Sequence, residues 1–274
     1  MFYGDDEWAD EPSKSVDENW CSVAPGVRRL ALKGNAPVRA ILTGHRDREV
    51  GGFWSFKMRS HIPHESEDWE RRGIKRQEVD FRVERYYGQP ERLEIRVDGE
   101  AIRQDGSEVI TYTVDTLVEI AGVEVRFEFK PREMLQPSRK LDPDDPKSVR
   151  EHERARKLRR KLRIVQQAYR ASGLLWALLT ERELNGMGNP DTIDDIISNG
   201  GREIDREDLG RLCSTLNLAP GRCLPLGQCE ELVRSSDFPR GAILARIPER
   251  VLSVSLFEPI TPDTQVILEN FPHA

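Results

Sequence analysis

With 274 residues, 37% of them hydrophobic, the chain can bury one large core or two small ones without disulfide or metal staples. A formal net charge of -6 excludes a protein that coats nucleic acid over its whole surface, and no apolar run has the length of a membrane span. Cys21, Cys213, Cys223 and Cys229 show neither CxxC spacing nor a nearby histidine cluster, which points to free thiols in a reducing cytoplasm, not to structural zinc or a disulfide framework.

Residues 1–19 hold seven acids against the single base Lys14 and read as an acidic tail, where a signal peptide would be basic. The charged stretch from Glu65 to Gln77 predicts a helix. Arg92 to Val97 alternates polar and apolar residues as a half-buried strand does, and Asp98-Gly99 ends it. Val109 to Ile120, rich in Val, Ile, Thr and Tyr, and the strictly alternating Val123 to Phe129 predict two more strands joined at Ala121-Gly122. Leu135 to Pro146 is a loop. Leu158, Leu162, Val165 and Tyr169 then recur at helical spacing, so 148–170 predicts a helix with an apolar underside. Its upper face is cationic, because Lys147 to Arg163 contains nine Lys/Arg and only Glu151 and Glu153 as acids. Leu174 to Leu179 predicts a buried strand parallel to its neighbour after that helical crossover.

Asn185 to Pro190 breaks the chain again. Beyond it, Asp205 can cap a helix whose Leu209, Leu212 and Leu216 share a face, Leu226, Cys229 and Val233 suggest another, and Val251 to Phe257 reads as a strand. The expected organisation is an amino-terminal acidic tail and arm (1–50), a central module (51–186) and a small, mostly helical carboxy-terminal module (187–274), in an α/β chain whose central order is helix, three strands, helix, strand.

The chemistry lies in the hairpin. A two-residue turn at Ala121-Gly122 pairs residues whose numbers sum to 243, which sets Asp115 opposite Glu128 with Cβ atoms about 4.5 to 5.5 Å apart. Strand alternation places Lys130 on the same face as Glu128. Opposed carboxylates destabilise a sheet unless a cation compensates, and Mg²⁺ is commonly held by one or two carboxylates together with substrate phosphate. The same pattern, Glu124, Arg126, Glu128 and Lys130, is also what the solvated side of an amphipathic strand carries.

Several segments around this hairpin resemble the amino-terminal endonuclease domain of TnsA, the nuclease subunit of heteromeric DNA transposons within the PD-(D/E)xK superfamily. They are Ser55-Phe56-Lys57, His64-Glu65-Ser66-Glu67-Asp68-Trp69-Glu70, Tyr87-Gly88-Gln89-Pro90, Phe127-Glu128-Phe129-Lys130-Pro131 and the strand ending at Thr180-Glu181. The resemblance runs from about Trp54 through Asn185 and more faintly beyond, and departs at Val114, where the family usually has proline. It implies a restriction-endonuclease-like core (αβββαβ, mixed sheet) and a winged-helix-like carboxy-terminal module. It makes Asp115 and Glu128 ligands of Mg²⁺ or Mn²⁺ and Lys130 the catalytic lysine, with Glu70, or alternatively Glu65, as the helix glutamate and Gln89 as site support. Arg156, Lys157, Arg159, Arg160, Lys161 and Arg163 form a candidate DNA-backbone clamp. Trp69 and Trp176 are expected in the core. The function so implied is a cytoplasmic, metal-dependent DNA endonuclease that cuts double-stranded DNA at transposon ends. It would act with a partner transposase of the TnsB type and an ATPase regulator. A catalytically silent DNA-binding adaptor and a stand-alone phage or repair nuclease are the competing expectations.

Overall fold

A computed structural model of the chain describes residues 20–38, 51–66, 69–97 and 109–269, so the expected acidic tail and the Asp98-Gly99 strand end lie outside the described residues. Two hairpins come first, β1 (Trp20–Ala24) with β2 (Val27–Ala31) and β3 (Gly51–Ser55) with β4 (Ser60–His64). Helix α1 (Glu70–Val79) leads into β5 (Val83–Gly88), β6 (Glu91–Arg96), β7 (Val109–Thr113), β8 (Thr116–Ile120) and β9 (Val123–Phe129). The short α2 (Arg132–Leu135), the long α3 (Pro146–Ala171), β10 (Leu175–Leu179) and α4 (Glu181–Asn185) follow. The rest of the chain comprises α5 (Pro190–Ser198), α6 (Arg206–Leu218), β11 (Cys223–Pro225), α7 (Leu226–Leu232), α8 (Pro239–Leu244), β12 (Leu252–Ser253) and β13 (Gln265–Leu268).

The strands form sheets ordered β1-β2-β6-β7, β10-β9-β8-β5 and β11-β13-β12, besides the β3-β4 hairpin. The chain is therefore mixed α/β. Within the second sheet β10 runs parallel to β9, as expected for a strand reached through a helical crossover, but it is an edge strand with only Leu179 buried; the other pairings are antiparallel.

The stretch Val109 to Ile120, expected as one strand, is two: β7 pairs with β6 in the first sheet and β8 with β5 and β9 in the second. The reason lies on the neighbouring ribbon. Between β5 and β6, Gln89 adopts φ +50° and Pro90 has no N–H to give to a ladder, so that strand turns a corner. Its partner turns with it at Val114-Asp115, where the Gln89 N–H donates to the Asp115 carbonyl at 2.9 Å and the Val114 N–H to the Glu91 carbonyl at 3.3 Å. Several further strands were not expected, β2 and β5 among them. Val27-Arg28-Arg29-Leu30 and Val83-Glu84-Arg85-Tyr86 break period-two alternation, yet β2 is held by five residue pairs to β6 and β5 lies beside β8. Residues 20–31 thus belong to the first sheet and not to an arm ending at residue 50.

Helix α3 extends two residues before and one after its expected span, and packs Val165, Ala168 and Tyr169 with Val27, Leu93, Ile95 and Ile110 of the first sheet and with Val114 at the corner. The carboxy-terminal core gathers Ile193, Ile196, Leu212, Leu216, Leu226, Cys229 and Val266, and includes Val79 of α1. A boundary drawn at 186/187 is therefore crossed by packing, and also by the Lys75–Asp194 ion pair at 2.7 Å and a hydrogen bond from Arg250 Nε to the Phe81 carbonyl at 2.9 Å. Asp205 caps α6 by accepting from the Glu207 N–H at 2.7 Å, as expected. The strand expected over Val251 to Phe257 contracts to β12, and Phe257 lies exposed beyond it. No described helix is long and apolar enough to cross a membrane, and the four cysteines are free thiols.

Candidate active site

The hairpin turns at Ala121 and Gly122, both at positive φ (51° and 74°), as a two-residue connection whose twist matches its strands requires. Its register runs from Ile120↔Val123 to Thr116↔Phe127, the pairing whose numbers sum to 243. The ladder stops one pair short of Asp115 and Glu128 because the chain has begun its corner. Asp115 instead continues the pairing with its side chain, its Oδ2 accepting the Phe129 N–H at 2.8 Å. That bond fixes the carboxylate across the end of β9.

Lys130 reaches back into the same spot, its Nζ 2.7 Å from Glu128 Oε1 and 3.4 Å from Asp115 Oδ2. Glu70 enters from the first turn of α1, where the helix N-terminus favours a carboxylate, and its Oε2 accepts the Glu65 N–H at 2.8 Å. The helix comes this close because residue 73 is glycine: a Cβ there would stand 2.3 Å from the Phe129 ring. Glu70, Asp115 and Glu128 are each buried, at 7%, 7% and 4% exposure, so the solvated-strand reading fails for Glu128 and for Arg126, at 1%, and holds only near the turn.

Together these groups line a cleft of about 470 Å³ whose walls also carry Glu65, Arg92, Tyr112, Leu158 and Lys161. Glu70, Asp115 and Glu128 are like charges brought together in a poorly hydrated place. Burial and then the Asp115 charge push the Glu70 carboxyl up to about 8, and burial with Asp115 pushes Glu128 up to about 7 against the opposing pull of Lys130. Burial works against the Lys130 ammonium, but Asp115 and Glu128 outweigh it and hold the group above its usual value. Behind Glu128, the Tyr112 hydroxyl donates to Oε2 at 2.6 Å; burial and then Glu128 hold that phenol well above its usual value.

Neither a protein-family model nor a curated protein matches this chain.

The expected residues therefore divide into three sets. Glu70, Asp115, Glu128 and Lys130 meet, and Glu65 lines the same cleft one hydrogen bond from Glu70. Gln89 does not line it; it is buried at the corner, where its backbone holds Asp115. On α3, Arg156, Lys157, Arg159, Arg160 and Arg163 are exposed and do not line the cleft, whereas Lys161 does, its Nζ 5.9 Å from the Tyr112 ring centre. Trp69 packs against the cluster of Phe129, Leu179 and Leu184, and Trp176 packs on the α3 side of the first sheet, as expected.

Ser55 and Lys57 have a structural role. The Ser55 hydroxyl, the Phe56 and Lys57 N–H groups and the Tyr86 hydroxyl all donate to the buried Glu78 carboxylate, at 2.6, 2.8, 3.1 and 2.7 Å, tying the β3-β4 hairpin to the end of α1. Lys57 Nζ in turn donates to the carbonyls of Gln77, Asp80 and Val83. Arg92 and Tyr112 are cleft residues that sequence reading misses. In one dimension Arg92 is one more solvated cation on an alternating strand, and Tyr112 one more apolar strand residue.

Among the described residues no three His, Cys, Asp or Glu side chains are gathered into a ready metal cage. The donor chemistry of the cleft nevertheless suits a hard divalent cation. Its acceptors are the carboxylate oxygens of Glu70, Asp115 and Glu128, the hard oxygen donors that such an ion prefers.

Proposed function

We propose that the chain is a divalent-cation-dependent DNA endonuclease. The observation that carries this reading is the convergence of Glu70, Asp115 and Glu128 around Lys130 in one cleft, to which α3 adds Lys161. Asp115 and Glu128, with Glu70 as the third carboxylate, are the residues that would hold Mg²⁺ or Mn²⁺. Such an ion, when bound, supplies Lewis acidity to a phosphodiester and acidifies a water. Lys130, which bridges Asp115 and Glu128, would orient the attacking water or stabilise charge developing on phosphorus. Lys161 and Arg92 offer cations in the cleft for phosphate oxygens, and the exposed Arg156, Lys157, Arg160 and Arg163 would be further contacts for the backbone of a duplex that reaches past α3.

The element order supports a nuclease core of the αβββαβ type if each cornered ribbon, β5-β6 and β7-β8, counts as one strand. The transposon context rests on the TnsA resemblance: cutting at element ends with a TnsB-type transposase and an ATPase regulator. The carboxy-terminal order α6-β11-α7-α8-β12-β13, with sheet order β11-β13-β12, is compatible with a winged helix. One observation favours a docking role for that module over groove reading. Helix α8, which would be the reading helix, is buried from Gly241 to Leu244.

The test is a nicking assay on supercoiled and linear DNA in Mg²⁺ or Mn²⁺, with and without a TnsB-type transposase. Asp115→Ala, Glu128→Ala and Lys130→Ala are each expected to lower the rate by on the order of 100-fold or more. Full nicking by all three variants would overturn the reading. DNA binding unchanged in these variants, with no cleavage in any mixture, would establish the adaptor instead.

A further inference from the structure

The tertiary structure commits the two oxygens of Glu128 to different neighbours. Oε1 faces the cleft and meets Lys130 Nζ at 2.7 Å, while Oε2 accepts from the Tyr112 hydroxyl at 2.6 Å. The Tyr112 oxygen itself accepts from Trp176 Nε1 at 3.0 Å. An indole N–H only donates, so this bond uses an acceptor site of the phenol and leaves the single phenolic proton for Glu128. The last torsion of a glutamate is soft and roughly two-fold, so a carboxylate without such a partner would exchange its oxygens and sample several orientations. The indole is itself held, stacked on the Tyr169 ring at 6.4 Å between centres with an 11° interplanar angle.

We propose that Tyr112, oriented by Trp176, is a positioning residue that presents one fixed oxygen of Glu128 to the cation. The inference rests on the reading of Glu128 as a cation ligand. It adds a chain from an indole to the ligand, Trp176 to Tyr112 to Glu128, none of whose first two members touches the reacting atoms. Partners of this kind fix the orientation of a ligand and raise its affinity for metal. Because Trp176 is one hydrogen bond from Tyr112 and two from Glu128, its emission should change when a cation is bound.

The experiment titrates the full chain with Mn²⁺ alone, without DNA, following free Mn²⁺ by electron paramagnetic resonance and tryptophan emission in parallel. Tyr112→Phe keeps the ring and deletes only the hydroxyl. It should weaken Mn²⁺ binding by on the order of 10-fold and abolish the emission change, with an unaltered circular dichroism spectrum. Trp176→Phe identifies the emission change and should weaken binding by a smaller factor. Glu128→Gln should bind Mn²⁺ far more weakly than either. Wild-type affinity in Tyr112→Phe, beside lost affinity in Glu128→Gln, would overturn the positioning role and leave the nuclease reading standing. A wild-type chain that takes up no Mn²⁺, or a Glu128→Gln variant that binds it normally, would remove the nuclease reading and this inference with it.

Discussion

Two sets of buried carboxylates lie close together in this protein and are treated in opposite ways. Glu78 is saturated: two hydroxyls and two backbone N–H groups converge on it. Glu91 is likewise bound by Arg126 at 3.1 Å and by the Tyr169 hydroxyl at 2.9 Å, with Arg29 3.7 Å away. In the cleft, three carboxylates share one ammonium, and two of them are driven toward their protonated forms by burial and by Asp115. A carboxylate that serves architecture is given its donors by the fold. Under the proposed reading, one that is to receive a ligand is left with fewer of them, at a cost in stability.

Mutation at the two places should separate these roles most widely. Glu78→Ala strands two hydroxyls and two N–H groups and is expected to destabilise the protein by about 3 to 5 kcal/mol in urea unfolding. Asp115→Asn removes a like charge from Glu70 and Glu128 and should leave the melting temperature unchanged or higher, while abolishing nicking. A destabilised Asp115→Asn would break the contrast.

The second expected effect is on pH. Glu70 and Glu128 have raised carboxyl pKa values in the fold, so between the usual value of 4.5 and about 7 to 8 the folded protein holds protons that the unfolded chain has lost. Their contribution is fully present below pH 4.5 and disappears as pH rises through 7 to 8. Thermal melts without metal should therefore show stability falling over this window by several degrees. Glu70→Gln should flatten the fall, and Mn²⁺ should raise the melting temperature most at the alkaline end.

A smaller effect is expected at the glycine that sets the position of Glu70. Gly73→Ala forces a Cβ onto the Phe129 ring and should cost about 1 to 3 kcal/mol. The displaced α1 should also weaken Mn²⁺ binding, a change that a purely structural glycine would not produce. The smallest effect on the fold belongs to α3. Lys157→Ala, Arg160→Ala and Arg163→Ala together should alter stability by less than about 0.5 kcal/mol per site. Each cation so withdrawn from a DNA phosphate should lower the slope of log affinity against log salt by about 1.

Much of this was legible in one dimension because it depends on local rules. Ala121-Gly122 is a turn wherever the flanking residues alternate, and the turn sets the register; α3 follows from Leu158, Leu162, Val165 and Tyr169, and β10 from an apolar run after a crossover. The strands β2 and β5 were illegible because charged residues interrupt their alternation, and those charges are neutralised only by distant chain. Arg29 lies near Glu91, and Arg85 stands 4.0 Å from Glu119.

The sequence by itself determined that Asp115, Glu128 and Lys130 share one face of one ribbon, since side-chain direction in a strand has period two and the turn leaves no freedom of register. Only the tertiary structure decided that the ribbon turns a corner at Asp115, that Glu70 arrives over Gly73, and that Tyr112 and Trp176 lie beneath Glu128. Those outcomes depend on packing between segments far apart in the chain, and no local periodicity encodes such packing.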